Sequence, residues 1–185
     1  MEAVQPNTSS TAQSASSDGL NENSSAPLGN QQFVTFAIGK EEYAVDIMQV
    51  REIQAWTEVT ALPKQPNYMR GVLNLRGIIV PIFDLRCRFS QGVTDATNIH
   101  VVVIVAVADH IIGILVDRVS DILAVDRGEI LPVPDVEDQG DGEHIIGLVT
   151  AEDRMVALLD MGSLFKSEII QDSLDDIEDT SEQTN

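Results

Sequence analysis

The sequence predicts an all-β protein. Short runs rich in Val, Ile, Phe and Tyr recur through residues 31–166, and several come in pairs separated by a few polar or glycine residues. Between them no amphipathic stretch of about ten to fifteen residues is found, which favours barrels or a sandwich over a βαβ fold. At 185 residues and 43% apolar content, the chain can bury one substantial core or two closely joined small ones.

The first pair is Gln32-Phe33-Val34-Thr35-Phe36-Ala37-Ile38 and Tyr43-Ala44-Val45-Asp46-Ile47, turning at Gly39-Lys40-Glu41-Glu42. Met48-Gln49-Val50-Arg51-Glu52-Ile53 mixes helix formers with β-branched residues, and its alternation reads as strand. Pro66-Asn67-Tyr68-Met69-Arg70-Gly71 has proline at a first helical position and glycine at a C-terminal cap, the pattern of one short helix. Residues 78–85 read as a strand in which Pro81, lacking an N–H, belongs at an edge, bulge or strand end. Residues 99–108 and 111–116 flank Asp109-His110 as a second hairpin. A strand follows over 119–125, and a third hairpin is expected from 145–149 and 155–159, turning at 151–154.

Charge excludes some functions. The formal net charge is −19, which opposes attraction to phosphate backbones and anionic lipid, so no nucleic-acid partner is expected. All 11 Lys and Arg lie within 31–166 beside 20 of the 30 acids, a net of −9 there, and both ends are purely acidic. Residues 1–30 carry too few apolar side chains to offset chain ordering and read as a disordered acidic tail. Residues 167–185 read as an acidic C-terminal helix or tail, leaving 31–166 as the folded domain. Neither a span-length apolar run nor a basic leader is seen, so the expected location is cytoplasmic without direct membrane insertion. Cys87 stands alone, which excludes an internal disulfide and a CxxC site.

Catalytic signatures are missing from the pattern. His100, His110 and His144 are widely separated, none forms an HExxH spacing, and neither a phosphate loop nor a GxSxG elbow occurs. No catalytic residue, metal or cofactor is assigned. Asp46, Asp84, Asp117, Asp121 and Asp160 sit beside apolar strands, where capping a turn or facing solvent is the expectation over a paired acid–base site. Trp56 is placed at a barrel seam rather than at an exposed contact. Gly71 and Gly77 bracket Asn74-Leu75-Arg76; the arginine offers a planar five-donor fork, with internal pairing and partner binding equally open to it.

The run from Gly71 to Arg86, Gly-Val-Leu-Asn-Leu-Arg-Gly-Ile-Ile-Val-Pro-Ile-Phe-Asp-Leu-Arg, resembles the central motif of the CheW family. Further matches are 42–47 with 50–53, then 113–121, and finally 147–149 leading to 158–160, in the family's order across 31–166. The resemblance implies two intimately joined five-stranded SH3-like barrels with short helices and no catalytic activity. It implies an adaptor between the cytoplasmic tip of methyl-accepting chemotaxis receptors and the regulatory domain of the histidine kinase CheA, within membrane-associated receptor arrays. Val50, Glu52, Ile53, Gly71 and Arg76 match its receptor-facing positions near the groove between barrels, and exposed barrel ends would meet the kinase. Structural readings stand beside these: Val50 and Ile53 as core residues, Glu52 as a solvated strand residue, Gly71 as a helix cap. The alternatives are an adaptor of another chemosensory-like pathway and, from a different class, a cryptic enzyme using the inter-barrel groove.

Overall fold

The computed structural model describes residues 30–134 and 144–168; the expectations for 1–29 and 169–185 lie outside them. Ten strands run in chain order as β1 Gln31–Ile38, β2 Glu41–Asp46, β3 Val50–Ala55, β4 Met69–Leu75, β5 Ile78–Asp84, β6 Val101–Val107, β7 His110–Val116, β8 Arg118–Val125, β9 Ile145–Ala151 and β10 Arg154–Leu159. One-turn helices α1 Leu85–Arg88 and α2 Met161–Leu164 follow β5 and β10. The three expected hairpins are all present, as β1–β2, β6–β7 and β9–β10, and β4–β5 makes a fourth.

Two five-stranded sheets result, in the orders β8-β1-β2-β10-β9 and β3-β6-β7-β5-β4. The orders are the same plan repeated: two antiparallel hairpins joined by one parallel pairing, β2 with β10 and β7 with β5, plus a fifth strand beside the first hairpin. That fifth strand crosses over. β3 follows β2 in the chain but pairs with β6, and β8 follows β7 but pairs with β1. In each sheet one isolated bridge, Thr60 with Val72 and Leu131 with Leu148, joins the segment after the fifth strand to the far edge strand.

Corresponding residues recur at a constant offset within each repeated piece: Val50-Arg51-Glu52-Ile53 matches Val119-Ser120-Asp121-Ile122, and Gly71 through Leu85 matches Gly147 through Met161. Asp84 and Asp160 occupy matching places at the N-terminal caps of α1 and α2, accepting from Cys87 N and Gly162 N at 3.2 and 3.0 Å. Asp46 accepts from Met48 N in the same way, so capping is the role these aspartates take.

A large core lies between the sheets, with Val34, Phe36 and Val45 from one and Phe83, Val103 and Val105 from the other. Each sheet also has its own smaller core, around Phe33, Val125 and Leu158 in the first and Val80, Ile82 and Ile104 in the second. β1 and β6 are therefore buried on both faces, which is why β6 reads as an unbroken hydrophobic run and β1 is interrupted after Gln32 only by Thr35. Aromatic contacts cross the seam: Phe83 meets Phe165 at 4.8 Å between ring centroids, and Tyr43 stacks on Phe89 at 5.0 Å. Glu42, buried in β2, accepts from Arg118 of β8 and Arg154 of β10 at 2.9 and 3.0 Å, tying three strands of the first sheet.

Three local expectations need correction. Residues 66–71 do not form a helix: the Met69 N–H reaches Pro66 O for a single turn, and β4 has begun by Met69. The competing partners are β5 along its length and Thr60, which exchanges both backbone bonds with Val72 at 2.9 and 2.8 Å; this ladder overrides the local cap signals. Residues 47–49 form a 3-10 turn, and strand begins only at Val50. Pro81 lies inside a sheet, since β5 has β7 on one side and β4 on the other. Val72 spends its backbone groups on Thr60, so opposite it Pro81 faces away from β4, and the ladder with β7 starts at Ile82. No donor is demanded where proline has none.

The two sheets are also clamped by Asp117, between β7 and β8. Its carboxylate accepts from the Gly39 N–H at the β1–β2 turn, at 2.7 Å, and from Arg86 of α1. Burial pushes this carboxyl upward, but the bonds from Arg86 and Gly39, the Arg86 charge and His100 outweigh that and hold it below the usual aspartate range. A folded-state pKa lowered in this way contributes stability above the unfolded value, and the contribution is lost as pH falls through the folded one. Stability is thus expected to fall as pH drops from the ordinary aspartate value of 3.8 through the lower folded one, and Asp117→Asn to flatten that fall. Urea denaturation of both proteins across this range checks it; parallel pH profiles would contradict the clamp.

Candidate functional site

β3 is an edge strand of the second sheet, and its register sorts the expected interface residues. Val50 lies opposite Val105 and Ile53 opposite Val103, whereas Glu52 lies opposite Ile104 and Gln54 opposite Val102. Arg51 is bulged out, which is how Val50 and Ile53 come to share a face despite their odd spacing. Cross-strand partners project from the same face, and Val103 and Val105 belong to the core between the sheets. Val50 is half-buried against that core, and Ile53, opposite Val103, is 45% exposed. Glu52 and Gln54 take the other face, with Ile104 and Val102 of the second sheet's own core.

Arg76 comes to Glu52 from a different element. Arg76-Gly77 is the two-residue loop of the β4–β5 hairpin, and both residues have positive φ, 53° and 93°. That is the primed turn whose twist suits a hairpin. The guanidinium lies 3.1 Å from one Glu52 carboxylate oxygen and 3.3 Å from the other, while the arginine side chain remains 79% exposed. Such a pair contributes only about 0–1 kcal/mol to folding, so its donors remain available to a partner. Internal pairing and outward presentation, left open by the sequence, therefore coexist.

Gly71 is different. It is buried in β4 with φ +136°, and a Cβ there would run into the Thr60 carbonyl. It shapes the strand that carries Arg76 and presents nothing to solvent; nor does it cap a helix. The structure thus brings Glu52 and Arg76 together, puts Val50 and Ile53 on the opposite face of the same strand, and makes Gly71 their support.

Sequence reasoning missed Ile78 and Ile79, which begin β5 directly after the Arg76-Gly77 loop and are 52% and 59% exposed. Read locally, they were only the apolar start of the strand expected over 78–85. Comparing the repeated pieces would have singled them out, because Arg154 and Met155 hold the matching places and such polar or flexible residues tolerate exposure. Trp56 is half-buried against the core of the second sheet, in the segment joining β3 to the Thr60 bridge, with the Arg70 guanidinium 5.7 Å from its ring.

Among the described residues no group of three or more His, Cys, Asp or Glu side chains is arranged to hold a metal ion. His100 Nδ1 accepts the Thr97 N–H at 3.1 Å in a local turn while its Nε2 lies 4.0 Å from Asp117, and His144 Nδ1 lies 3.1 Å from Ser163 Oγ, linking the start of β9 to α2. Burial, with the Asp84 charge, pushes the Cys87 thiol up, away from the thiolate form a nucleophile needs. No helix among the described residues is long and apolar enough to cross a membrane.

Residues 32–168 match the family model described as CheW-like domain. The chain belongs to the CheW-like family. It is 40% identical over 137 residues to the probable chemotaxis protein CheW of Rhizobium etli, covering 74% of this chain and 88% of that protein. To the chemotaxis protein CheW of Klebsiella aerogenes it is 38% identical over 138 residues, 75% and 83% of the two chains. The crystal structure of the scaffolding protein TtCheW from Thermoanaerobacter tengcongensis superimposes with a TM-score of 0.67 at 29% identity, over 74% of this chain and 88% of that one. Membership makes this CheW-like chain a non-catalytic chemotaxis scaffold.

Proposed function

We propose that this chain couples methyl-accepting chemoreceptors to the histidine kinase CheA, binding the receptor's cytoplasmic tip around Val50, Glu52, Ile53 and Arg76, with Gly71 as their support. The observation that carries the reading is the division of the edge strand β3: apolar Val50 and Ile53 on one face, and the Glu52–Arg76 pair on the other. An apolar centre excludes water from a contact, and exposed charges at its border set orientation and rate of association. Kinase contact falls to the exposed ends of the sheets, and the chain works in the cytoplasm, reaching the membrane through protein contacts alone. Signalling then needs no large change within the adaptor, because two linked interfaces suffice to bias the kinase between states.

Calorimetry with the full chain and a soluble receptor-tip fragment tests this. Val50→Asp places a hydrated charge at the apolar contact and is expected to weaken binding about tenfold or more. Arg76→Ala removes only exposed donors and is expected to weaken it about threefold to tenfold, with less dependence on salt. Both should keep the far-UV spectrum of the parent. Receptor affinity unchanged in two folded variants would remove these residues from the interface.

A further inference from the structure

We infer that Asn74 is a positioning residue for the receptor contact, holding the β4–β5 loop in the conformation that carries the Arg76 guanidinium to Glu52 and toward a partner. The inference rests on the receptor-facing reading of Arg76 above. Asn74 Oδ1 accepts the Gly77 N–H at 2.7 Å, spanning the loop from its first strand to its last turn residue. Between them Arg76 sits at φ 53°, a region that non-glycine residues enter only at a steric cost. The Asn74–Gly77 bond favours that conformation from within the loop itself.

The matching hairpin of the first sheet shows what the bond is for. Its loop, Glu152-Asp153, has the same positive φ values, 47° and 64°, although Thr150 stands where Asn74 would be. The primed turn thus forms without an asparagine at that place. The outcome differs at the side chain: Glu152, in the place of Arg76, is 87% exposed and 3.5 Å from Arg154 of its own hairpin. Arg76 instead reaches across to another strand, β3, with one guanidinium nitrogen shared between both oxygens of Glu52. A long side chain 79% exposed holds such a cross-strand geometry only when its backbone origin is fixed. Asn74 is itself exposed and packs in neither core, so its removal leaves the sheets intact.

The test is a double-mutant cycle on the full chain, with Asn74→Ala, Arg76→Ala and the pair, read as affinity for the receptor-tip fragment and as melting temperature. Asn74→Ala is expected to weaken binding about threefold, with melting shifted by no more than about 2 °C, and to have no further effect once Arg76 is alanine. A residue that merely stabilised the loop would show the same loss in both backgrounds. If Arg76→Ala weakens binding while Asn74→Ala matches the parent, or weakens it equally with and without Arg76, the positioning role is overturned and the receptor-facing reading survives. If Arg76→Ala binds like the parent, that reading fails and this inference falls with it.

Discussion

Replacing Gly71 by alanine is expected to lower stability by about 3–5 kcal/mol, the sum of backbone strain and an overlap the strand cannot relieve. The φ of +136° is one that L-residues rarely adopt, and the added Cβ would lie far inside contact distance of the Thr60 carbonyl. That carbonyl cannot turn aside, since it accepts the Val72 N–H at 2.8 Å while Thr60 N donates back to Val72 O at 2.9 Å. Relief would break this bridge and open the second sheet along β4, beside the hairpin that carries Arg76. Gly77→Ala is the control: its φ is also positive, 93°, but nothing lies within 4 Å of a Cβ there. It should cost only roughly 1–2 kcal/mol. Thermal and urea unfolding of both variants separate collision from strain. Equal losses, or a loss under about 1 kcal/mol for Gly71→Ala, would show that the close approach to Thr60 is not what requires glycine. Any defect of a Gly71 variant in receptor binding is then to be assigned to a damaged sheet and not to a lost contact.

Asp84→Ala is expected to cost about as much, 3–5 kcal/mol, for a different reason. Its side chain is fully buried and is the common acceptor for the Thr94 N–H at 2.8 Å, the Thr94 hydroxyl at 2.7 Å and the Cys87 N–H at 3.2 Å, with the Arg70 guanidinium at 3.4 Å. Alanine leaves the two Thr94 donors and the Cys87 N–H without this acceptor and takes the carboxylate from Arg70, which keeps only Thr94 O. Each stranded donor costs about 1–3 kcal/mol, although relaxation makes the sum less than additive. The damage should spread from α1 to the loop before β6, because Arg70 also donates to Thr94 O at 2.8 Å and so holds both ends of the same link. Hydrogen exchange reads this directly: the Thr94 amide should lose protection before the amides of β6 do. An Asp84→Ala protein within about 1 kcal/mol of the parent, with Thr94 still protected, would mean that the cluster is incidental to stability.

Much of the site was legible locally. Arg76 was singled out from the chemistry of a fork-shaped cation and Glu52 from the family resemblance, and the structure places them in contact. Gly77 completes the tight turn beside Arg76; Gly71, read as a helix cap, is a strand residue whose need for glycine comes from Thr60, a residue the local pattern does not connect to it. The separation of Val50 and Ile53 from Glu52 depends on the bulge at Arg51, and plain alternation would have put Val50 with Glu52. Asn74 was visible only as part of a motif, because its importance is a bond made within the folded turn.

What the sequence by itself determined is the β class, the three hairpins, the capping aspartates and the family, since each is written in residues close together or in a motif read in order. Only the tertiary structure decided that β3 and β8 cross between sheets, that 66–71 turns into strand, that Pro81 can sit in a sheet interior and that Asp84 anchors a loop. Those outcomes turn on which distant segment supplies the partner for a backbone group or a buried charge. Local propensities differ by about 1 kcal/mol or less, while a ladder, a buried core face or a stranded donor is worth more. Where the two disagreed, at Pro66 to Gly71, the distant partners Thr60 and β5 prevailed.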